Sequence, residues 1–262
     1  MDLEDAKSDS GEFQLSGGFV KDGHLYNKAV LRGMTGVEED VLVARRVPVQ
    51  KRIDTIIKNC IVSLSGDDGV TLTDKAVIAE AVGNLTATDR IILLIAIRIV
   101  SLDSKYAFDV KCPECEATTH TAVDLTEFLK DVVLMPEPMK RVGYDVTLPS
   151  GKRVLWDVLT SNKEAEVGQR NRQLPEDAVS ASLLARITTI DGQQATLDAV
   201  KALPLKDRNA LRAEFERVEG SIETAIEDII CTNANCGAMF NSALDLGQVG
   251  FFFPERATKN HS

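Results

Sequence analysis

Apolar positions along this chain change period several times, and the changes divide it into segments. Ile53, Ile56, Ile57, Cys60 and Ile61 recur at helical spacing, which predicts one buried face on a helix from about Val49 to Leu64. Upstream, Thr35-Gly36-Val37-Glu38 places a hydroxyl at an N-cap and an acid three residues later, so a capping box opens a helix expected to reach about Arg46. Thr86-Ala87-Thr88-Asp89 starts another helix, through Ile99 or beyond. It is apolar almost all round, which puts it at the centre of its lobe. Between these helices, Ser65 to Gly69 reads as a turn and Val70-Thr71-Leu72 as a short strand.

The period then falls to two. Tyr106-Ala107-Phe108-Asp109-Val110 alternates like a strand. Asp145 to Leu148 and Arg153 to Trp156 flank the Gly-containing turn Pro149-Ser150-Gly151-Lys152 as a β-hairpin. Polar helices are expected at roughly 159–172, 175–188 and 205–218, with a turn at Asp191-Gly192 between the last two.

Both ends differ from this. Residues 1–30 are polar and rich in glycine and serine, as in Ser16-Gly17-Gly18. They are expected to form an extended arm whose order comes from other chains. Near the other end, Phe251, Phe252 and Phe253 stand in a row. Exposed, they would favour aggregation, so burial against the chain's own ribbon or a neighbour is expected.

Two cysteine segments resemble each other. Val110-Lys111-Cys112-Pro113-Glu114-Cys115 runs on through Ala117 and Thr121 to Asp124-Leu125; Ile229-Ile230-Cys231-Thr232-Asn233-Ala234-Asn235-Cys236 runs on through Ala238 and Ser242 to Asp245-Leu246. Aligned on Cys115 and Cys236, their apolar, small and acidic positions coincide. Two such knuckles present four sulfurs to one metal, as in a zinc ribbon, and four cysteines leave no open position for chemistry. Cys112, Cys115, Cys231 and Cys236 are therefore the expected ligands of a structural Zn2+. Two local disulfides, a redox dithiol or unligated thiols are the alternatives. A redox site is expected near a βαβ pattern, and none surrounds Cys112. The opening Met1-Asp2-Leu3-Glu4-Asp5 lacks the regions of a secretory signal, and a cytosolic environment favours metal over disulfides. Cys60 sits on the apolar helix as a small hydrophobe. His120 falls on the returning strand as an ordinary residue.

The fold class that follows is α+β. It comprises an arm (1–30), a helical lobe (31–105), a first knuckle and ribbon (106–125), an inserted hairpin and helical segment (126–228), and a second knuckle with a tail (229–262). A formal charge of −10 argues against nucleic acid as the main partner. Arg45, Arg46, Lys51 and Arg52 follow Glu38, Glu39 and Asp40, as acids early and bases late on a helix would. The apolar run Ile91 to Ile97 is too short to span a bilayer. The three histidines are far apart, and no phosphate loop, nucleophile elbow or metalloprotease helix is present, so no enzymatic activity is expected.

One ordered set of motifs is more specific than any of its members: Arg32 to Asp40, Thr88-Asp89-Arg90, Tyr106-x-Phe108-x-Val110-x-Cys112-x2-Cys115, Leu148 to Lys152, and the second cysteine pair. Together, from about residue 30 to 255, the chain resembles the T4-type baseplate proteins of contractile-tailed bacteriophages. The resemblance implies a structural role in the virion tail, assembly in the host cytoplasm, other baseplate and tail proteins as partners in a multi-copy assembly, and no catalytic residues. An assembly chaperone absent from the mature particle and a zinc-ribbon nucleic-acid module are the competing readings.

Overall fold

The computed structural model describes residues 10–166, 175–246 and 249–252. Helices and antiparallel sheets alternate through the chain. The first sheet has the order β1-β2-β3-β4, formed by Ser10–Lys21, His24–Arg32, Ile61–Ser65 and Thr71–Leu72. Helices α1 (Gly36–Val43), α2 (Val49–Cys60), α3 (Lys75–Asn84) and α4 (Ala87–Ser101) accompany it. Next come the hairpin β5–β6 (Lys105–Lys111, Thr118–Asp124) and α5 (Leu125–Lys130). A second sheet, β10-β9-β8-β7, joins Gln193–Gln194, Ile187–Ile190, Arg153–Trp156 and Tyr144–Thr147. Its helices are α6 (161–166), α7 (Ala178–Leu184), α8 (Leu197–Lys201) and α9 (Leu205–Glu219). The hairpin β11–β12 (Ala225–Ile230, Met239–Ala243) and the short α10 (Val249–Phe252) follow.

Two cores result. The larger joins the first sheet, α2–α4 and both two-stranded hairpins; the smaller surrounds Trp156. Helix α4 is central to the first. Its β-branched isoleucines are mediocre helix formers, each losing at most about 0.7 kcal/mol against alanine. Burying each one contributes about 1.5–3 kcal/mol, so burial decides. Ile92, Leu93, Ile95 and Ile97 are all essentially inaccessible to solvent. In the second core Trp156 stacks on Tyr144 at 4.8 Å and meets Phe215 at 4.7 Å.

The structure corrects the expected arm over residues 10–30. They form the β1–β2 hairpin, with Leu15, Phe19, Tyr26 and Ala29 in the main core; residues 1–9 lie outside the described residues. The glycine and serine content that suggested an arm belongs instead to a β-bulge, where register shifts between Gln14 and Phe19. Gly18 adopts φ +61, and a Cβ there would lie 2.3 Å from the Tyr26 carbonyl, so only glycine fits. The bulge frees backbone groups from the ladder, and side chains take them up. Asp89 accepts from the Gly17 amide at 2.9 Å, and Arg141 donates to the carbonyls of Gly17 and Gly18.

The helical lobe at 31–105 is likewise a mixed structure. The helix begun at Val49 ends at Cys60, and Ile61–Ser65 leaves it as a strand opposite Ala29 and Leu31. Helix α1 stops at Val43, short of Arg46, and Arg52 from α2 donates to its Leu42 carbonyl. The helix expected at 175–188 is a 3-10 turn and α7, after which Ile187–Ile190 pairs with β8. Asp191-Gly192 is accordingly a hairpin turn, with both residues at positive φ. Of the helix expected at 159–172, residues 161–166 are helical and 167–174 lie outside the described residues. The expected helix at 205–218 is present as α9.

Candidate metal centre

Both cysteine segments occupy the turns of two-stranded hairpins. β5 and β6 pair in continuous register from Lys105↔Asp124 to Lys111↔Thr118, and β11 and β12 close at Ile230↔Met239. Each turn begins one residue beyond the first strand, at Cys112 and Cys231. The Cys112 amide donates to the Ala117 carbonyl at 3.0 Å, and the Cys231 amide donates to that of Ala238 at 2.9 Å. The residue after the second cysteine is left-handed in both, Glu116 at φ 58 and Gly237 at φ 61. The backbones therefore repeat each other, although the second turn is two residues longer.

That left-handed position suits glycine and strains an L side chain by about 1–2 kcal/mol. Glu116→Gly should stabilise the protein by about 1 kcal/mol and raise its thermal midpoint by a few degrees. Thermal melts of the two proteins would check this; a lower midpoint would contradict the equivalence of Glu116 and Gly237.

The two hairpins meet tip to tip. Cys112 Sγ lies 3.8 Å from Cys236 Sγ, and Cys115 Sγ lies 3.7 Å from Cys231 Sγ. All four sulfurs fall within 4.8 Å of one another. These separations are far longer than the ~2.05 Å of a disulfide. The 3.7 and 3.8 Å separations match the ~3.8 Å edge of a tetrahedron whose centre is ~2.3 Å from each sulfur, the usual zinc–sulfur bond. Cys112 and Cys231 are buried, while Cys115 is exposed and Cys236 half-buried. Besides the sulfur–sulfur approaches, the contacts described between the tips are few: Thr232 to Thr119 at 3.4 Å and to the Thr118 carbonyl at 3.5 Å, both long, and Asn233 donating to Cys115 Sγ at 3.6 Å. Little other than the sulfurs pins one tip to the other.

The electrostatics suit a cation. The Ala117 amide points at Cys115 and, with donation from neighbouring thiols, brings it down to about 7. The Ala238 amide acts on Cys236 in the same sense, but burial and the other thiols push Cys236 up to about 12. Thiolates this close repel, so the set sheds its protons together only against a positive charge. Four soft sulfurs this close together are a donor set that suits zinc or iron, and four such ligands would form a closed shell.

His120 stands across the β5–β6 ladder from Asp109, pairs with it, and is outside the sulfur group. Cys60 ends α2 within the main core, where burial pushes its thiol up to about 12. Phe251 and Phe252 are buried within the chain, Phe251 edge-on to Tyr106 of β5 at 5.1 Å; Phe253 lies outside the described residues. Arg98, at the far end of α4, donates to the Phe251 carbonyl at 3.0 Å.

A family model described as T4 bacteriophage base plate protein matches residues 21–237, most of the chain. The chain belongs to that family. No curated protein and no solved structure matches it. The family's span runs from the last residue of β1 to Gly237, so it contains all four cysteines. The motifs that carried the resemblance are polar junctions of the fold. Thr35 and Glu38 form the expected capping box, as do Thr86 and Asp89. Arg90 bridges Asp54 at 3.1 Å and Glu164 at 2.9 Å, tying α4 to α2 and α6. The turn after Leu148 donates its Ser150 amide to the buried Asp207 at the start of α9. Arg141 and Gly17, which hold the bulge to α4, carry no motif and were not anticipated. The described residues contain no helix long and apolar enough to cross a membrane.

Proposed function

We propose that this protein is a structural component of a contractile phage tail baseplate and works by binding neighbouring baseplate and tail subunits. One structural Zn2+ on Cys112, Cys115, Cys231 and Cys236 clamps its fold. The convergence of four sulfurs from two hairpins more than a hundred residues apart carries this reading. A closed four-sulfur site holds chain together and leaves no position for substrate, so the role is architectural, without catalysis. Family membership supports a place in the virion tail; assembly in the host cytoplasm and in several copies is part of the same proposal. The acidic balance makes nucleic acid a poor partner. Exposed apolar side chains offer surface for protein neighbours, among them the cross-strand pair Ile230 and Met239 beside the sulfurs, and Leu134, Met139 and Val142 on the connection before β7.

The test is the composition of purified particles. The protein should co-purify with intact tails, and Ile230→Asp with Met239→Asp should lower its incorporation without unfolding it. Absence from mature particles that nevertheless need it for assembly would make it a chaperone. Salt-sensitive retention of DNA or RNA in a gel would favour the nucleic-acid reading.

A further inference from the structure

A cleft of about 540 Å³ opens between the end of β2, the last turn of α2 and the start of α3, lined by Arg32, Lys58, Asn59 and Lys75 over Ala76 and Ala79. We propose that residues 1–9 of the same chain dock in it. The segment holds Asp2, Glu4, Asp5 and Asp9 against one base, Lys7.

The charges of the cleft are largely uncompensated. Glu38 is the buried acid behind Arg32 and Asn59, and its carboxylate is already saturated. It accepts from Arg32 at 2.9 and 3.1 Å, from the Thr35 amide and hydroxyl at 2.9 and 3.0 Å, and from Asn59 at 3.1 Å. The Arg32 bonds and the Thr35 groups hold it down to about 2 against burial, so it is ionised and spent on Arg32. Lys75 donates to a neutral acceptor, the Ile61 carbonyl, at 2.7 Å. Lys58 has no partner among the described residues. Two ammonium groups thus lack a carboxylate in a chain whose net charge is −10.

Strand register places the start of β1 beside them. Ser10 is directly opposite Arg32 in the β1–β2 ladder, so the described part of the chain begins next to one wall of the cleft. Nine residues reach up to about 30 Å when extended. Surface ion pairs are individually weak, but a short tether gives its own segment an effective concentration near millimolar, ahead of any free acidic peptide.

Carbodiimide cross-linking of the full chain, in a mixture of 15N-labelled and unlabelled protein, would test this. Amide links should form from Lys58 or Lys75 to Asp2, Glu4, Asp5 or Asp9 within isotopically pure pairs. They should vanish near ~1 M salt, where screening acts within ~3 Å. Trypsin should cut after Lys7 several-fold faster in Lys58→Glu, which breaks no described contact, and about tenfold faster in Lys58→Glu with Lys75→Glu. Mixed-isotope links would overturn docking within one chain and assign the cleft to a second copy. Links no more abundant than those to the exposed Lys105, or unchanged cleavage after Lys7, would overturn the proposal outright.

Discussion

Cys115→Ser and Cys236→Ser should each abolish stoichiometric metal binding and loosen both hairpins to a similar extent, because each removes one corner of the same tetrahedron. The expected metal content of protein purified without chelator is about one zinc per chain, and near zero in either variant. Energetics favour the metal. Closing a loop of more than a hundred residues has an entropic cost of about 5 kcal/mol. Structural zinc contributes an apparent ~10–16 kcal/mol in small peptides, enough to offset that closure and leave a margin. The oxygen-accepting contacts between the tips, at 3.4 and 3.5 Å, are long, and the Asn233 bond to Cys115 Sγ is to a weak acceptor, so together they are too weak to replace it. Cys60→Ser should leave metal content unchanged, since Cys60 lies in the α2 core. Elemental analysis with thiol titration decides the matter. Protein containing no metal, with four free or disulfide-bonded thiols, would refute the clamp, and bound iron would refute zinc.

The second large effect is expected at Asp89. Its side chain is fully buried. It accepts from the Gly17 amide at 2.9 Å, the Thr86 hydroxyl at 2.9 Å and the Thr86 amide at 3.4 Å. Burial pushes its carboxyl above the usual range, while the Gly17 amide and the Arg141 guanidinium favour the ionised form. Asp89→Ala strands these donors, leaves half-buried Arg141 without the charge of its neighbouring carboxylate and removes half of the capping box of α4. A loss of about 3–5 kcal/mol is expected, a large fraction of an ordinary domain stability of about 5–15 kcal/mol. Asp89→Asn keeps the shape but turns one acceptor into a donor, and should cost about 1–3 kcal/mol. Urea denaturation would measure both. A change below ~1 kcal/mol for the alanine variant would show that the bulge is held by something else.

Asp89 also shows how far local patterns reach. Its cap on α4 was legible because both partners lie within four residues, as were the Thr35–Glu38 box and the β7–β8 hairpin. Its bond to Gly17 spans 72 residues and left no trace in spacing. The cysteine knuckles were legible across a larger gap for a different reason. Paired cysteines at knuckle spacing are a restricted residue set, and the turn is written twice.

The failures share one cause. Ile61 continues the helical face of α2 by period, but the chain turns extended there because β2 offers it ladder hydrogen bonds. Ile187–Ile190 becomes a strand because β8 is open beside it. Ser16-Gly17-Gly18 has the composition of a loose arm, but it is a bulge because Asp89 and Arg141 take up the groups it frees from the ladder. Periodicity, caps and ligand spacing are properties of a few consecutive residues, and the chain specifies them alone. Which strand finds an edge, which carbonyl finds a guanidinium, and which lysines are left without an acid depend on backbone groups brought together only when the chain has closed.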